Sequence, residues 1–146
     1  MERVVIPFLV LLTVWTNSLA SKTPVVFWPG WLGPNRDGQV DYFEAPTQWP
    51  PDLQRVWSKE VGEGSSMPIV VAGRVYQHAR QSGEEVVWCL SLGSGEVLWR
   101  KSDRVPYQIS HFGKRHGDGP LSNPAYANGR LFTLSVTGVL SAWAAD

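Results

Sequence analysis

The chain of 146 residues is 43% hydrophobic and only 18% charged, a balance that folds and that excludes disorder of the whole. Thirteen basic residues offset thirteen acidic ones with no basic run, which excludes the electrostatic footprint of a nucleic-acid binder. Cys89 is the one cysteine, so an internal disulfide and a cysteine-rich zinc site are both excluded, and the thiol reads as a small buried apolar residue.

Residues 1–20 read as a secretory signal peptide. Arg3 supplies a positive start, and the largely apolar stretch from Val4 to Trp15 falls short of the about 20 residues a spanning helix needs. Ser18-Leu19-Ala20 offers the small-x-small pattern of a cleavage site, giving an exported chain that starts at Ser21 with no further membrane segment. Glu2 and Pro7 depart from the usual pattern and leave a retained N-terminal anchor as the alternative. Residues 21–52 read as an extended segment. Its Trp28, Trp31 and Trp49 lie in proline-rich stretches and pack this segment against the rest, or else stack on sugars or peptides. Asp37 and Asp41 read as turn caps in preference to a calcium site, because no regular acidic ladder follows.

Beyond residue 52 the chain repeats itself. Pro68-Ile69-Val70-Val71-Ala72-Gly73-Arg74-Val75-Tyr76 matches Pro124-Ala125-Tyr126-Ala127-Asn128-Gly129-Arg130-Leu131-Phe132 at a constant offset of 56 (124 minus 68). Each copy predicts an antiparallel hairpin, with Ala72-Gly73 and Asn128-Gly129 at the turns and β-branched and aromatic residues flanking them. A glycine-led strand follows each, from Gly83 to Leu90 and from Gly138 to Trp143. Trp57 and Trp99, 42 apart (99 minus 57), mark a second period the size of a four-stranded propeller blade, and the blade is placed from Trp57 to about Trp99. Ser94-Gly95 begins the turn into its last strand. Residues 102–119 read as a long glycine- and histidine-rich loop. The second unit stops short of a last strand, so the chain is expected to be the N-terminal piece of a longer protein, marginally stable without the remaining blades of its own chain. The expected fold is all-β, with antiparallel four-stranded blades of an incomplete β-propeller over residues 53–146.

At these residues the chain resembles the quinoprotein-type propellers built from pyrroloquinoline-quinone-like repeats, which form eight-bladed rings. Trp31-Leu32-Gly33-Pro34-Asn35-Arg36-Asp37-Gly38 is similar to the opening of secreted bacterial members. Leu53 to Trp57, Gly62-Glu63-Gly64-Ser65-Ser66, the paired hairpins and Gly117-Asp118-Gly119-Pro120 continue the likeness. The tryptophan-docking motif of that superfamily, Ala-x-Asp-x-x-Thr-Gly-x-x-x-Trp, falls on Cys89, Ser91, Ser94, Gly95 and Trp99, and only Gly95 and Trp99 match. The resemblance implies that Gly95, Trp99 and Trp57 are structural residues packed between neighbouring blades.

The superfamily holds both enzymes and non-enzymatic assembly proteins. Its dehydrogenases use a quinone stacked on tryptophan, a calcium or lanthanide ion and an aspartate base, and many add paired cysteines that this chain lacks. An exported binding or scaffold protein is therefore the leading expectation, with no catalytic residue in this segment and the cofactor unknown. A periplasmic quinoprotein oxidoreductase holding quinone and calcium elsewhere in its chain is the alternative. His111, His116 and Asp118 form a weak candidate metal site in a loop that otherwise reads as solvated, and His78 reads as a surface or edge residue.

Overall fold

The computed structural model describes residues 26–40, 43–107 and 117–146, so residues 1–20, expected to be a signal peptide, and Asp41 lie outside the described residues. Among the described residues every element is a β-strand: β1 (Ile69–Val71), β2 (Arg74–Gln81), β3 (Glu84–Ser91), β4 (Val97–Asp103), β5 (Ala125–Ala127), β6 (Arg130–Leu134) and β7 (Leu140–Ala144). They form two antiparallel sheets, four-stranded β1-β2-β3-β4 and three-stranded β5-β6-β7. Among the described residues no helix is long and apolar enough to cross a membrane.

The turns are set by two-residue loops with positive φ at both positions, the geometry whose twist matches that of the flanking strands. Ala72-Gly73 has φ of 50° and 74°, and Asn128-Gly129 repeats it at 50° and 76°. Ser82-Gly83 makes a third such turn at 53° and 82°, so Gly83 ends a turn rather than opening a strand. The two repeats pair alike: Tyr76 faces Cys89 across β2 and β3, and Phe132 faces Ala142 across β6 and β7.

Alternation along the strands sends successive side chains to opposite faces, and both faces of the first sheet are covered. On one face Ile69, Val71, Tyr76, Val87 and Cys89 meet Leu131 and Ala145 of the second unit. On the other Val75, Val86, Trp88 and Leu90 meet Trp57, Val61 and Leu92. The central strand β3 therefore reads Val86-Val87-Trp88-Cys89-Leu90 without a polar break, as a strand buried on both sides should.

The paired strands of the first sheet do not coincide with the span from Trp57 to about Trp99 expected from tryptophan spacing. The four strands run from Ile69 to Asp103, and Trp57 belongs to an extended segment laid across the sheet's face. The N-terminal segment is stitched to both sheets: Trp28 exchanges two backbone hydrogen bonds with Val70, and the Pro29 carbonyl accepts from the Tyr126 amide at 2.8 Å. At the opposite end of the sheets Glu63 exchanges two with Arg80, and the Ser65 amide donates to the Pro120 carbonyl.

Ala72 holds a left-handed conformation that costs a residue with a plain Cβ about 1–2 kcal/mol, and that asparagine tolerates better. Ala72→Asn, copying the second hairpin, is expected to raise unfolding stability by about 0.5–1 kcal/mol in a urea titration.

Candidate functional site

Three local arrangements carry side chains of functional interest: a tryptophan seated on a glycine, a buried histidine–carboxylate pair, and two surface clefts.

The indole of Trp57 donates from Nε1 to the Leu92 carbonyl at 2.8 Å, and its ring lies over Gly95. A Cβ on Gly95 would stand 2.6 Å from the ring carbons, and φ there is +71°, so both space and backbone require glycine. The same local pattern recurs 42 residues on, Val56-Trp57-Ser58-Lys59 becoming Leu98-Trp99-Arg100-Lys101. Trp99 lies on the other side of the first sheet, with Tyr76 at 5.9 Å between ring centroids and the ammonium of Lys101 4.5 Å above it. Lys101 also donates to the Ala144 carbonyl, while the buried Nε1 of Trp99 has no partner among the described residues. Thus Trp57 and Gly95 are brought together, and Trp99 instead faces the second sheet.

His78 is not at the surface or an edge. It is 1% exposed, in mid-β2, and its Nε2 lies 3.1 Å from a carboxylate oxygen of Glu85 on β3, itself nearly buried. Sequence reasoning missed the pair because antiparallel pairing alone brings the two residues together. Burial holds the His78 imidazole neutral, lowering its pKa to about 4, and burial likewise raises that of Glu85, against Arg80 and with help from Asp103. A single proton shared along the hydrogen bond suits both groups, and Nδ1 of His78 is left without a partner among the described residues. Cys89 is fully buried beside Tyr76, and burial raises its pKa, as expected of an inert thiol.

One cleft of about 360 Å³ is lined by Glu63, Arg80, Tyr107 and Asp118. The Arg80 guanidinium stacks 4.4 Å from the Tyr107 ring and donates to the Gly83 carbonyl, while the Tyr107 hydroxyl donates to the Gly117 carbonyl. Asp118 belongs to this recess; His111 and His116 lie outside the described residues. Among the described residues no three potential ligands gather for a metal ion. A second cleft of about 440 Å³ is lined by Trp31, Arg36, Asn123 and Tyr126.

Trp28 packs closely, its ring filling the space a Cβ on Gly33 would need, whereas Trp31 and Trp49 are 56% and 58% exposed. Only Trp28 follows the packed reading, and Trp49 stacks instead on Phe43. Asp37 caps its turn as expected, accepting from the Gln39 amide at 3.0 Å. These groups supply aromatic faces and a positive charge at the surface and a tightly sterically matched seam inside.

No protein-family model matches the chain, and no curated protein matches it closely enough to count as a relative.

The seam can be tested by substitution on both of its sides. Gly95→Ala should cost about 2–4 kcal/mol by strain and displacement of the indole, and Trp57→Ala about 3 kcal/mol by loss of burial. Combined, they should cost clearly less than their sum in denaturant titrations, because the methyl group introduced at position 95 then meets no ring.

The pH dependence follows from opposite shifts. The unfolded chain protonates His78 below about pH 6.5 while the folded chain resists to about 4, so this contribution to stability is lost as pH falls through that window. Unfolded Glu85 loses its proton above about pH 4.5 while the folded chain keeps it, so this contribution is lost as pH rises. The two slopes oppose each other in mild acid. Glu85→Gln removes one of them, and the variant's thermal midpoint should climb steadily from about pH 4 to about 6.5. A flat profile would contradict the buried neutral imidazole.

Proposed function

We propose that the two sheets are consecutive blades of an exported propeller-repeat protein of the quinoprotein-like kind, serving as a binding or scaffold protein. The observation that carries this reading is the seating of Trp57 on Gly95, one repeat length from Trp99, in a chain whose two hairpins share turn geometry and register. A contact that fixes one layer upon the next is what stacked blades need, and the repeat supplies the same tryptophan to the following layer. The cleft beside Trp31 and Tyr126 supports the binding role: an exposed indole, a tyrosine, an arginine and an asparagine side chain suit a flat ligand with polar edges.

The test separates this role from quinone-dependent oxidation. Pyrroloquinoline quinone with excess calcium, titrated into the purified protein and followed by quenching of tryptophan fluorescence, is expected to give no saturable binding. Stoichiometric binding together with dye-linked alcohol oxidation would overturn the scaffold reading in favour of a quinoprotein oxidoreductase.

A further inference from the structure

The chain from Pro29 to Gly38 folds tightly against the start of the second sheet. The Gly30 carbonyl accepts from the Gly33 amide, the Gly33 carbonyl from the Arg36 amide and the Leu32 carbonyl from the Gly38 amide, while the Pro29 carbonyl accepts from the Tyr126 amide. Leu32 and Arg36 hold left-handed backbone at φ of 61° and 57°, a conformation that side chains with a Cβ keep only where the surrounding bonds impose it. Gly33 seats the Trp28 ring, whose carbons would stand 2.7 Å from a Cβ at that position. The loop is therefore fixed in shape, and with residues 123–126 it forms the cleft of about 440 Å³. Both walls lie ahead of β6 in the chain and are joined to each other by their own backbone bond.

What this cleft offers a ligand is hydrogen-bond donors. The carbonyls of the loop are taken by its own turns, and the prolines at 29, 34 and 124 have no amide hydrogen and present flat hydrocarbon. Asn123 gives its Oδ1 to the Met67 amide at 2.6 Å, which leaves its NH2 group to donate. Arg36 adds a positive charge. Among the described residues the ion pairs are His78 with Glu85 and Arg104 with Glu84, no carboxylate lines the cleft, and that of Asp37 is engaged by the Gln39 amide. Trp31, 56% exposed, contributes an indole face. A matching ligand is rich in acceptors, carries a negative charge at one point, and has one apolar flat side while its other side stays in water. We infer that the cleft binds an acidic sugar. The C–H face of the ring lies on Trp31, its carboxylate or sulfate group pairs with the Arg36 guanidinium, and hydroxyl oxygens accept from the Asn123 amide. One cation suits one charge per sugar ring, and a chain of balanced charge with no basic run does not suit a nucleic-acid strand as the flat anion.

This assignment rests on the proposed binding role and names the ligand for it. Isothermal titration of the full chain with trigalacturonate, with a sulfated galactan oligosaccharide and with an uncharged galactose trimer should give saturable binding of at least one charged probe. The neutral trimer should bind at least about tenfold more weakly, the difference made by one charged hydrogen bond, and added salt should narrow the gap. Arg36→Asn removes the charge while keeping a residue that tolerates left-handed backbone, and should bring charged and neutral probes to the same weak affinity. Trp31→Ala, at an exposed position, should weaken all three, and both variants should keep the thermal midpoint of the unaltered chain. Equal binding of charged and neutral sugars, no binding of either charged probe, or binding that Arg36→Asn leaves unchanged overturns the assignment. None of these results touches the blade reading, which rests on the contact of Trp57 with Gly95, and the scaffold reading is decided separately by the quinone titration.

Discussion

An extended segment can lie flat on a twisted sheet only where the neighbouring chain leaves room for it, and here the room is left by glycine. Gly95 lets an indole lie directly on the turn before β4, and Gly119 lets the chain entering the second sheet run against the backbone of Glu63 and Gly64. Neither position has space for a methyl group. The tryptophan that fills the first gap also anchors the extended segment that covers Val75, Val86 and Leu90, so burial of one whole face depends on a missing side chain. Dispersion and the hydrophobic effect supply the attraction, while the glycines set the distance at which it acts.

On the opposite face a single carbonyl performs a comparable service. The Ala145 oxygen accepts from the Tyr76 hydroxyl at 2.9 Å and from the Arg74 guanidinium at 3.0 Å, and both donors belong to the first sheet. A buried hydroxyl needs an acceptor, and burial raises the Tyr76 pKa, keeping the proton in place for this bond. The end of the second unit is thus held to the first by polar bonds inside an apolar contact, with Leu131 and Trp99 beside them. Specific docking follows from this combination, since an apolar patch alone would allow the sheets to slide.

The all-β class and the hairpins are legible in the sequence because turn chemistry is local. Asn128-Gly129 declares its turn, and a constant repeat offset carries the same geometry to Ala72-Gly73, whose alanine does not by itself suggest it. Ser82-Gly83 follows the same rule, but its glycine reads equally well as the start of a strand. The limits of each sheet are less legible, since tryptophan spacing measures the interval between repeats and does not say against which face each indole lies. His78 is not legible at all. Nothing in its neighbours along the chain predicts burial; its partner Glu85 reaches it only across a ladder whose register is fixed by the turn at Ser82-Gly83.

If the shared Ala145 carbonyl and the apolar contact around it bind the two sheets into one unit, they should open together. Native-state hydrogen exchange tests this most directly, comparing the amides of Val87 and Cys89 in β3 with those of Leu131 and Thr133 in β6. The account predicts one common opening free energy for both pairs, with the same dependence on denaturant. Exchange of the β6 amides through a separate and much cheaper opening, with β3 still protected, would contradict it.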